Sequence, residues 1–391
     1  MSFSIDVSWK SLNKQGEELC GDKVEVLRTK DSDIVILADG MGSGVKANIL
    51  ATLTSKILGT MLREGATIES CVETVAKTLP ICKVRKVAYA TFSILQIFHS
   101  GEAYLAEFDN PSCVFIRDGK IVKYPYEVRE IEGKKVHESR FQVKKNDCFT
   151  LMSDGVIYAG AGSILNLQGW TWEAMSEYTL KCTKKTLSAS RLAVMLSQAC
   201  DELYEEKPGD DTTVAVARVI ERRVVSIFTG PPAKKEDDER AVRDFMHAEG
   251  KKVVSGGTSA NVVARVLGKE VVTKIDTADP DVPPMAVIDG IDLVTEGVLT
   301  LGKSLKLLKK YARGEFDAEF FDELDTDNGA SRLARLLIEE CTELNLFVGT
   351  AVNAAHKETE LNFELSMRQN LVEQLVRTAE EMEKKVTVRY Y

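Results

Sequence analysis

The stretch Asp33-Ile34-Val35-Ile36-Leu37-Ala38-Asp39-Gly40-Met41-Gly42-Ser43-Gly44 constrains this chain more than any other. An apolar run of strand length ends in a carboxylate, glycines follow at 40, 42 and 44, and a helical pattern starts near Val45. An uninterrupted apolar run predicts a strand covered on both faces. The turn then sets Asp39 at the strand's mouth, and glycine, lacking a Cβ, lets the main chain come close to an ion or a phosphate. Asp and Gly are also ordinary turn residues, so the stretch alone is equally a tight strand-to-helix turn.

Other acidic residues stand at comparable places. Asp22 follows Gly21 just before a short strand, Val24 to Arg28. The apolar run Asp147 to Met152 ends in Ser153-Asp154-Gly155, and Gly209-Asp210-Asp211-Thr212-Thr213 runs directly into Val214 to Val219. Four acidic sites, at 22, 39, 154 and 210–211, thus sit where strands begin or end. Strand ends can converge in space, and carboxylates gathered in one cleft repel one another unless cations are present. Hard divalent ions with oxygen ligands, Mg²⁺ or Mn²⁺, are the simplest partners.

Between these sites the patterns alternate. Residues 3–9 read as a half-buried strand with Phe3, Ile5, Val7 and Trp9 on one face. Residues 45–63 read as a helix with Leu50, Leu53, Ile57, Leu58 and Met61 on its apolar side and Gly65 beyond its end. Thr67 caps a second helix carrying Ile68, Cys71, Val72, Val75 and Leu79, which Pro80 ends. Strands follow at 87–98, 102–108 and 113–116; the last turns at Asp118-Gly119, a hairpin dipeptide, into a return strand at 121–124. Helices follow at 171–181 and 188–204.

Together Gly21-Asp22, the Asp39 to Gly44 turn, Ser153-Asp154-Gly155 and Gly209 to Thr213 stand in the order used by metal-dependent Ser/Thr protein phosphatases of the PP2C superfamily. The helix after Asp-Gly-Met-Gly-x-Gly resembles the bacterial sporulation stage II protein E (SpoIIE) type. The resemblance covers about residues 3 to 220. It implies an α/β/β/α sandwich, two antiparallel sheets with helices outside. It also implies two metal ions, with Asp39 bridging them, the Gly40 carbonyl and Asp22 holding one, and Asp154 and Asp211 completing the other. Asp210 then serves the turn rather than an ion, and Asp109-Asn110 is read as a plain turn near the cleft. The implied reaction hydrolyses a phosphoprotein by attack of a metal-activated water, and no Cys-x5-Arg phosphate loop is present to suggest a cysteine nucleophile. The eukaryotic branch carries an arginine near its first acidic ligand; here only Lys23 adjoins Asp22.

Beyond Glu221 the cadence changes to that of a small parallel α/β domain, giving a division into 1–222 and 223–391. Strands are expected at 224–228, 252–255, 285–288 and 344–348, with helices between them and an amphipathic helix at 371–385. The charged stretch 315–327 reads as a solvated excursion. Gly256-Gly257-Thr258-Ser259 follows a strand and opens a helix, an arrangement that suits an anion as well as it suits a plain turn. The expected roles for this part are regulation or the binding of a small anionic ligand. The alternatives are a phosphatase-fold binding module without turnover, and a C-terminal enzyme acting on a sugar phosphate.

The balance of 60 acidic against 51 basic residues, a formal charge of -9, argues against a nucleic-acid binder. No apolar run reaches membrane-span length. The eight cysteines are scattered and the N-terminus lacks the regions of a signal peptide, so a cytoplasmic location with reduced thiols is expected.

Overall fold

The computed structural model describes residues 3–78, 90–131, 133–161, 169–273, 283–351 and 358–391, with the side chains of 76 and 358–366 left aside. The chain divides into two compact units, Met1–Glu221 and Arg222–Tyr391.

The first unit holds the strands β1 (Phe3–Leu12), β2 (Asp22–Arg28), β3 (Ser32–Gly40), β4 (Ala90–Phe98), β5 (Glu102–Phe108), β6 (Val114–Arg117), β7 (Lys120–Ile121), β8 (Glu127–Ile131), β9 (Lys134–Gln142), β10 (Cys148–Met152) and β11 (Thr212–Glu221). Its helices are α1 (Gly44–Arg63), α2 (Ile68–Thr78), the single turn α3 (Asp154–Ile157), α4 (Trp172–Thr183) and α5 (Ala189–Leu203). Two antiparallel sheets form, ordered β2-β3-β4-β5-β9-β8 and β1-β11-β10-β6-β7. Alternation along β3 shows the layering. Val35 and Leu37 join Leu95, Leu105, Phe115, Phe149 and Ala217 in a core between the sheets. Ile34 and Ile36 face the other way and pack with Leu58, Cys71 and Val72 of α1 and α2. On the far face of the second sheet, Val214 and Val216 pack with Met175, Leu192 and Leu196 of α4 and α5. This is the expected α/β/β/α sandwich.

Several sequence expectations need correction. The buried face of α1 is Gly44, Ala47, Ala51, Thr54, Ser55, Leu58, Gly59 and Leu62, whereas Leu53 is 45% exposed. Of the expected apolar positions, Leu58 is fully buried and Leu50, Ile57 and Met61 pack against the core, so only Leu53 departs; small residues such as Ala47, Ala51 and Gly59 fill the closest approach of helix to sheet. Trp9, expected inward, is 42% exposed; Phe3, Ile5 and Val7 do reach the inter-sheet core. The hairpin β8–β9 was not predicted, because β8 is an edge strand and four of its five residues are exposed. At the predicted hairpin, Asp118 and Gly119 have φ of 50° and 70°, as a type I′ turn requires. The return strand is shorter than expected, two residues. The expected positions Leu79 and Pro80, and residues 87–89 of the expected strand 87–98, lie outside the described residues.

The second unit holds β12 (Val224–Thr229), α6 (Asp238–His247), β13 (Lys251–Ser255), α7 (Gly257–Leu267), β14 (Val272–Thr273), β15 (Ala286–Val287), β16 (Leu293–Thr295), α8 (Val298–Ala312), α9 (Ala318–Asp325), α10 (Gly329–Glu339), β17 (Glu343–Val348), α11 (Glu358–Glu381) and β18 (Lys385–Tyr390). Five strands run parallel in the order β16-β13-β12-β17-β18, and β15 and β14 extend the β16 edge antiparallel. The third strand expected at 285–288 is therefore misplaced: β15 pairs antiparallel, and β16 occupies the parallel position beside β13. The expected excursion at 315–327 contains α9, capped by Asp317 and buried through Phe320, Phe321 and Leu324. Its three apolar residues are too few to give a visible period among so many charges. The closing strand β18 was also missed; it is an edge strand with no fully buried residue.

Gly250, between α6 and β13, has φ of 78°, and a Cβ there would stand 1.9 Å from the Val224 carbonyl oxygen. Gly250→Ala is expected to destabilise the second unit by at least about 1–3 kcal/mol, the usual scale of overpacking. Chemical denaturation followed by a probe in this unit measures it; unchanged stability would contradict the close approach.

Candidate metal centre

The register of the central sheet sets Asp22 directly opposite Asp39, since β2 and β3 pair with these two residues facing each other. On its other side Asp39 faces Thr91 of β4. Asp154 opens α3 after β10, and Asp211 precedes β11, the neighbour of β10. The four residues come from separate parts of the chain, yet Asp22, Asp154 and Asp211 all raise the titration of Asp39.

Asp22 is buried, and one carboxylate oxygen, Oδ2, accepts from Ser153 Oγ at 2.7 Å. Ser153 in turn accepts from the Thr213 N–H at 2.9 Å, so β10, β11 and β2 are tied at one point. Asp211 Oδ1 accepts from the Lys14 N–H at 3.1 Å. The remaining oxygens, Asp22 Oδ1 and Asp211 Oδ2, are buried without a hydrogen-bond partner. A buried carboxylate oxygen with nothing to accept is costly. Two such oxygens, in a cluster of like charge, fit a cation.

The titration shifts agree. Burial pushes the Asp39 carboxyl up to about 9, and the nearby charges of Asp22, Asp154, Asp210 and Asp211 add to the effect. Burial raises Asp22 to about 7, opposed by hydrogen bonds from Ser153 and Thr213 and reinforced by Asp211 and Asp154. Asp154 is raised by burial and by Asp210, with Lys14 acting in the opposite direction. Among the described residues, no three His, Cys, Asp or Glu side chains already stand in ligand positions around one point. The orphaned oxygens and mutual repulsion are what identify the cluster, since preformed coordination geometry is absent from the described residues.

Glycines permit the convergence. A Cβ on Gly21 would lie 2.6 Å from Asp211 Oδ2, and one on Gly155 would lie 2.2 Å from the Asp211 carbonyl oxygen. At Gly40 a Cβ would meet the Ala47 carbonyl oxygen at 2.0 Å, so the turn after β3 lies directly against the first turn of α1.

Asp210 lies at the rim: its Oδ1 accepts from the Asp211 N–H at 3.0 Å and from Lys14 Nζ at 3.5 Å. The Asp109-Asn110 turn carries more structure than a plain turn. Asn110 accepts from Thr91 Oγ1 and donates to Ser93 Oγ at 3.2 Å, fixing the turn to β4 beside Asp39. Three contributors were not singled out from sequence. Ser153 was visible only as part of its Asp-Gly motif. Lys14 follows β1 with no distinguishing pattern. Glu17 accepts from Ser43 Oγ at 2.9 Å and lies against Gly44 at the start of α1, where a carboxylate complements the helix dipole. Gly256, Gly257, Thr258 and Ser259 belong to the second unit.

A metal-free test follows from the raised Asp39. Its folded form holds a proton more tightly than its unfolded form, so above about pH 4 the residue destabilises the fold increasingly up to about pH 9. Asp39→Asn is expected to raise the melting temperature of chelator-treated protein at pH 8, with the gain shrinking toward pH 4. A melting temperature that is lower, or a gain independent of pH, would contradict the clustering.

Residues 30–220 match the family model described as Stage II sporulation protein E (SpoIIE). A search of curated proteins returns no match. Among solved structures, the PP2C phosphatase domain with a fragment of the regulatory domain of SpoIIE from Bacillus subtilis is 20% identical, with a TM-score of 0.48. That alignment covers 56% of this chain and 64% of the other, so this chain spans less than two thirds of that relative. The RsbU and RsbW domains of Rv1364c from Mycobacterium tuberculosis are 17% identical over 69% of this chain and 72% of theirs, with a TM-score of 0.46. RsbX in complex with magnesium is 20% identical over 55% of this chain and 95% of its own, with a TM-score of 0.39. The stretch that matches the SpoIIE model, residues 30–220, lies within the first unit of this chain.

Proposed function

We propose that the first unit hydrolyses phosphoserine or phosphothreonine in a protein substrate, using two divalent cations, Mg²⁺ or Mn²⁺. The observation that carries this reading is the pair of orphaned buried oxygens, Asp22 Oδ1 and Asp211 Oδ2, inside a set of mutually repelling carboxylates. The residues to hold the ions are Asp22, Asp39, Asp154 and Asp211, with the Gly40 carbonyl. When bound, such ions supply a water acidic enough to ionise near neutral pH and offset the charge of the phosphate oxygens.

The chain's own groups prepare that chemistry. Ser153 holds one oxygen of Asp22, and the Lys14 N–H holds one oxygen of Asp211, so each carboxylate turns its other oxygen inward. The cost of burying these charges uncompensated gives the site its demand for cations. Lys14 Nζ, 3.5 Å from Asp210 Oδ1, is the cation we assign to an incoming phosphate. It stands in for the arginine that the sequence lacks near Asp22.

Hydrolysis of a phosphopeptide by the full chain should need Mn²⁺ or Mg²⁺ and stop on chelation. Asp39→Asn and Asp211→Asn should each lower kcat by at least about 10²-fold, the scale of losing one electrostatic group around a transition state. Near-normal turnover in either folded variant would refute the assignment. Lys14→Met is expected to raise KM several-fold with a smaller change in kcat. An unchanged KM would remove Lys14 from phosphate binding.

A further inference from the structure

The second unit offers a site that is independent of the acidic cluster. Counted in chain order, its parallel strands lie 3-2-1-4-5, with β12 first and the direction of progression reversing between β12 and β17. In open α/β sheets the loops leaving the carboxyl ends of the strands diverge at such a reversal and leave a crevice, where ligands bind. Part of this crevice is filled by the chain itself. Gly349 lies so near the β12 loop that a Cβ on it would stand 2.1 Å from the Pro231 carbonyl oxygen. The Tyr391 carbonyl oxygen accepts from the Ala233 N–H at 3.2 Å, the Thr350 N–H at 2.9 Å and Thr350 Oγ1 at 2.8 Å. The donors at this edge of the sheet already hold an oxygen.

On the β13 side a cavity of about 430 Å³ remains open, a size typical of small-molecule sites. Pro231, Pro232 and Lys235 line it from the loop after β12. Thr258, Asn261, Val262 and Arg265 line it from α7, at the spacing that sets them on one helix face. Asp238 is its one acidic lining residue; it is buried and ion-paired with Arg265, which leaves Lys235 as the net charge. The lining combines polar groups, Lys235, Thr258 and Asn261, to meet an anion with apolar ones, Pro231, Pro232 and Val262, to cover an apolar or planar body.

The glycine turn itself is less suited to an anion than its sequence suggests. The Gly256 N–H donates to the Thr295 carbonyl at 2.8 Å. Ser259 is buried, and its hydroxyl accepts from the Gly230 N–H at 2.8 Å. A Cβ on Gly257 would lie 3.5 Å from Glu296 Oε1, so an acidic group already occupies the space beside it. Of the four residues, Thr258 alone lines the cavity.

We propose that this cavity binds a small phosphorylated metabolite of the mononucleotide class, its phosphate against Lys235, Thr258 and Asn261 and its body against Pro231, Pro232 and Val262. The test is calorimetric titration of the full chain with AMP, GMP, CMP and UMP, and with adenosine and inorganic phosphate as the separate halves. Divalent cations are left out, so that phosphate is not recruited to the acidic cluster. At least one mononucleotide should bind saturably at one site per chain. For AMP, affinity should exceed that of either half by at least tenfold if AMP is the nucleotide that binds. Lys235→Met with Thr258→Val should weaken binding at least tenfold at unchanged melting temperature, and Lys235→Arg should retain it. Because Lys235 and Thr258 are exposed, these variants are expected to fold. No saturable binding by any of the four nucleotides would overturn the proposal. So would binding that the double variant leaves intact, or binding lost in Asp39→Asn but kept in the double variant.

Discussion

Repulsion among carboxylates is the interaction on which the first unit turns. Asp22, Asp39, Asp154 and Asp211 are brought together at strand ends, two of them on directly opposed positions of neighbouring strands. Two core oxygens of this set are left without any donor. A fold that gathers like charges where water is scarce is least stable there unless something positive is added. The donors that are present, Ser153 Oγ and the Lys14 N–H, each satisfy one oxygen of a carboxylate and thereby fix the direction of the other. The sandwich supplies the rigidity for this, because β2, β3, β10 and β11 all contribute to its cores or cross-ties.

The same crowding links the site to helix α1. Gly40 is both the end of β3 and the point where the Ala47 carbonyl presses on the turn. Small residues along α1 allow that approach, and Glu17 holds the start of the helix through Ser43. A side chain added at Gly40 would therefore displace the helix, the turn, or both. In that sense the packing of α1 and the position of Asp39 are one mechanical unit.

Much of this was legible in the sequence because the relevant signals are local. The apolar run before Asp39, the repeated Asp-Gly turns and the Asp118-Gly119 hairpin each state their geometry within a few residues. Their order also carried the family resemblance. What stayed hidden depends on distant partners. Apolar spacing found Leu50, Ile57, Leu58 and Met61 of α1 but could not show the small residues Ala47, Ala51 and Gly59 that share its buried face, nor that Leu53 would be exposed. The edge strands β8 and β18 lack a buried face to give a period. Lys14, Glu17 and the second role of Ser153 arise only when loops meet. In the second unit, β16 rather than residues 285–288 takes the third parallel position, and only that pairing reveals the 3-2-1-4-5 order and its crevice.

The central claim is that the acidic cluster is a cation site built from Asp22, Asp39, Asp154 and Asp211. Anomalous diffraction from crystals of the full chain soaked in Mn²⁺ tests it without reference to turnover. The account predicts manganese peaks in contact with Asp22 Oδ1 and Asp211 Oδ2, bridged by Asp39. Crystals that take up manganese elsewhere, or show no peak at the cluster at saturating Mn²⁺, would contradict it.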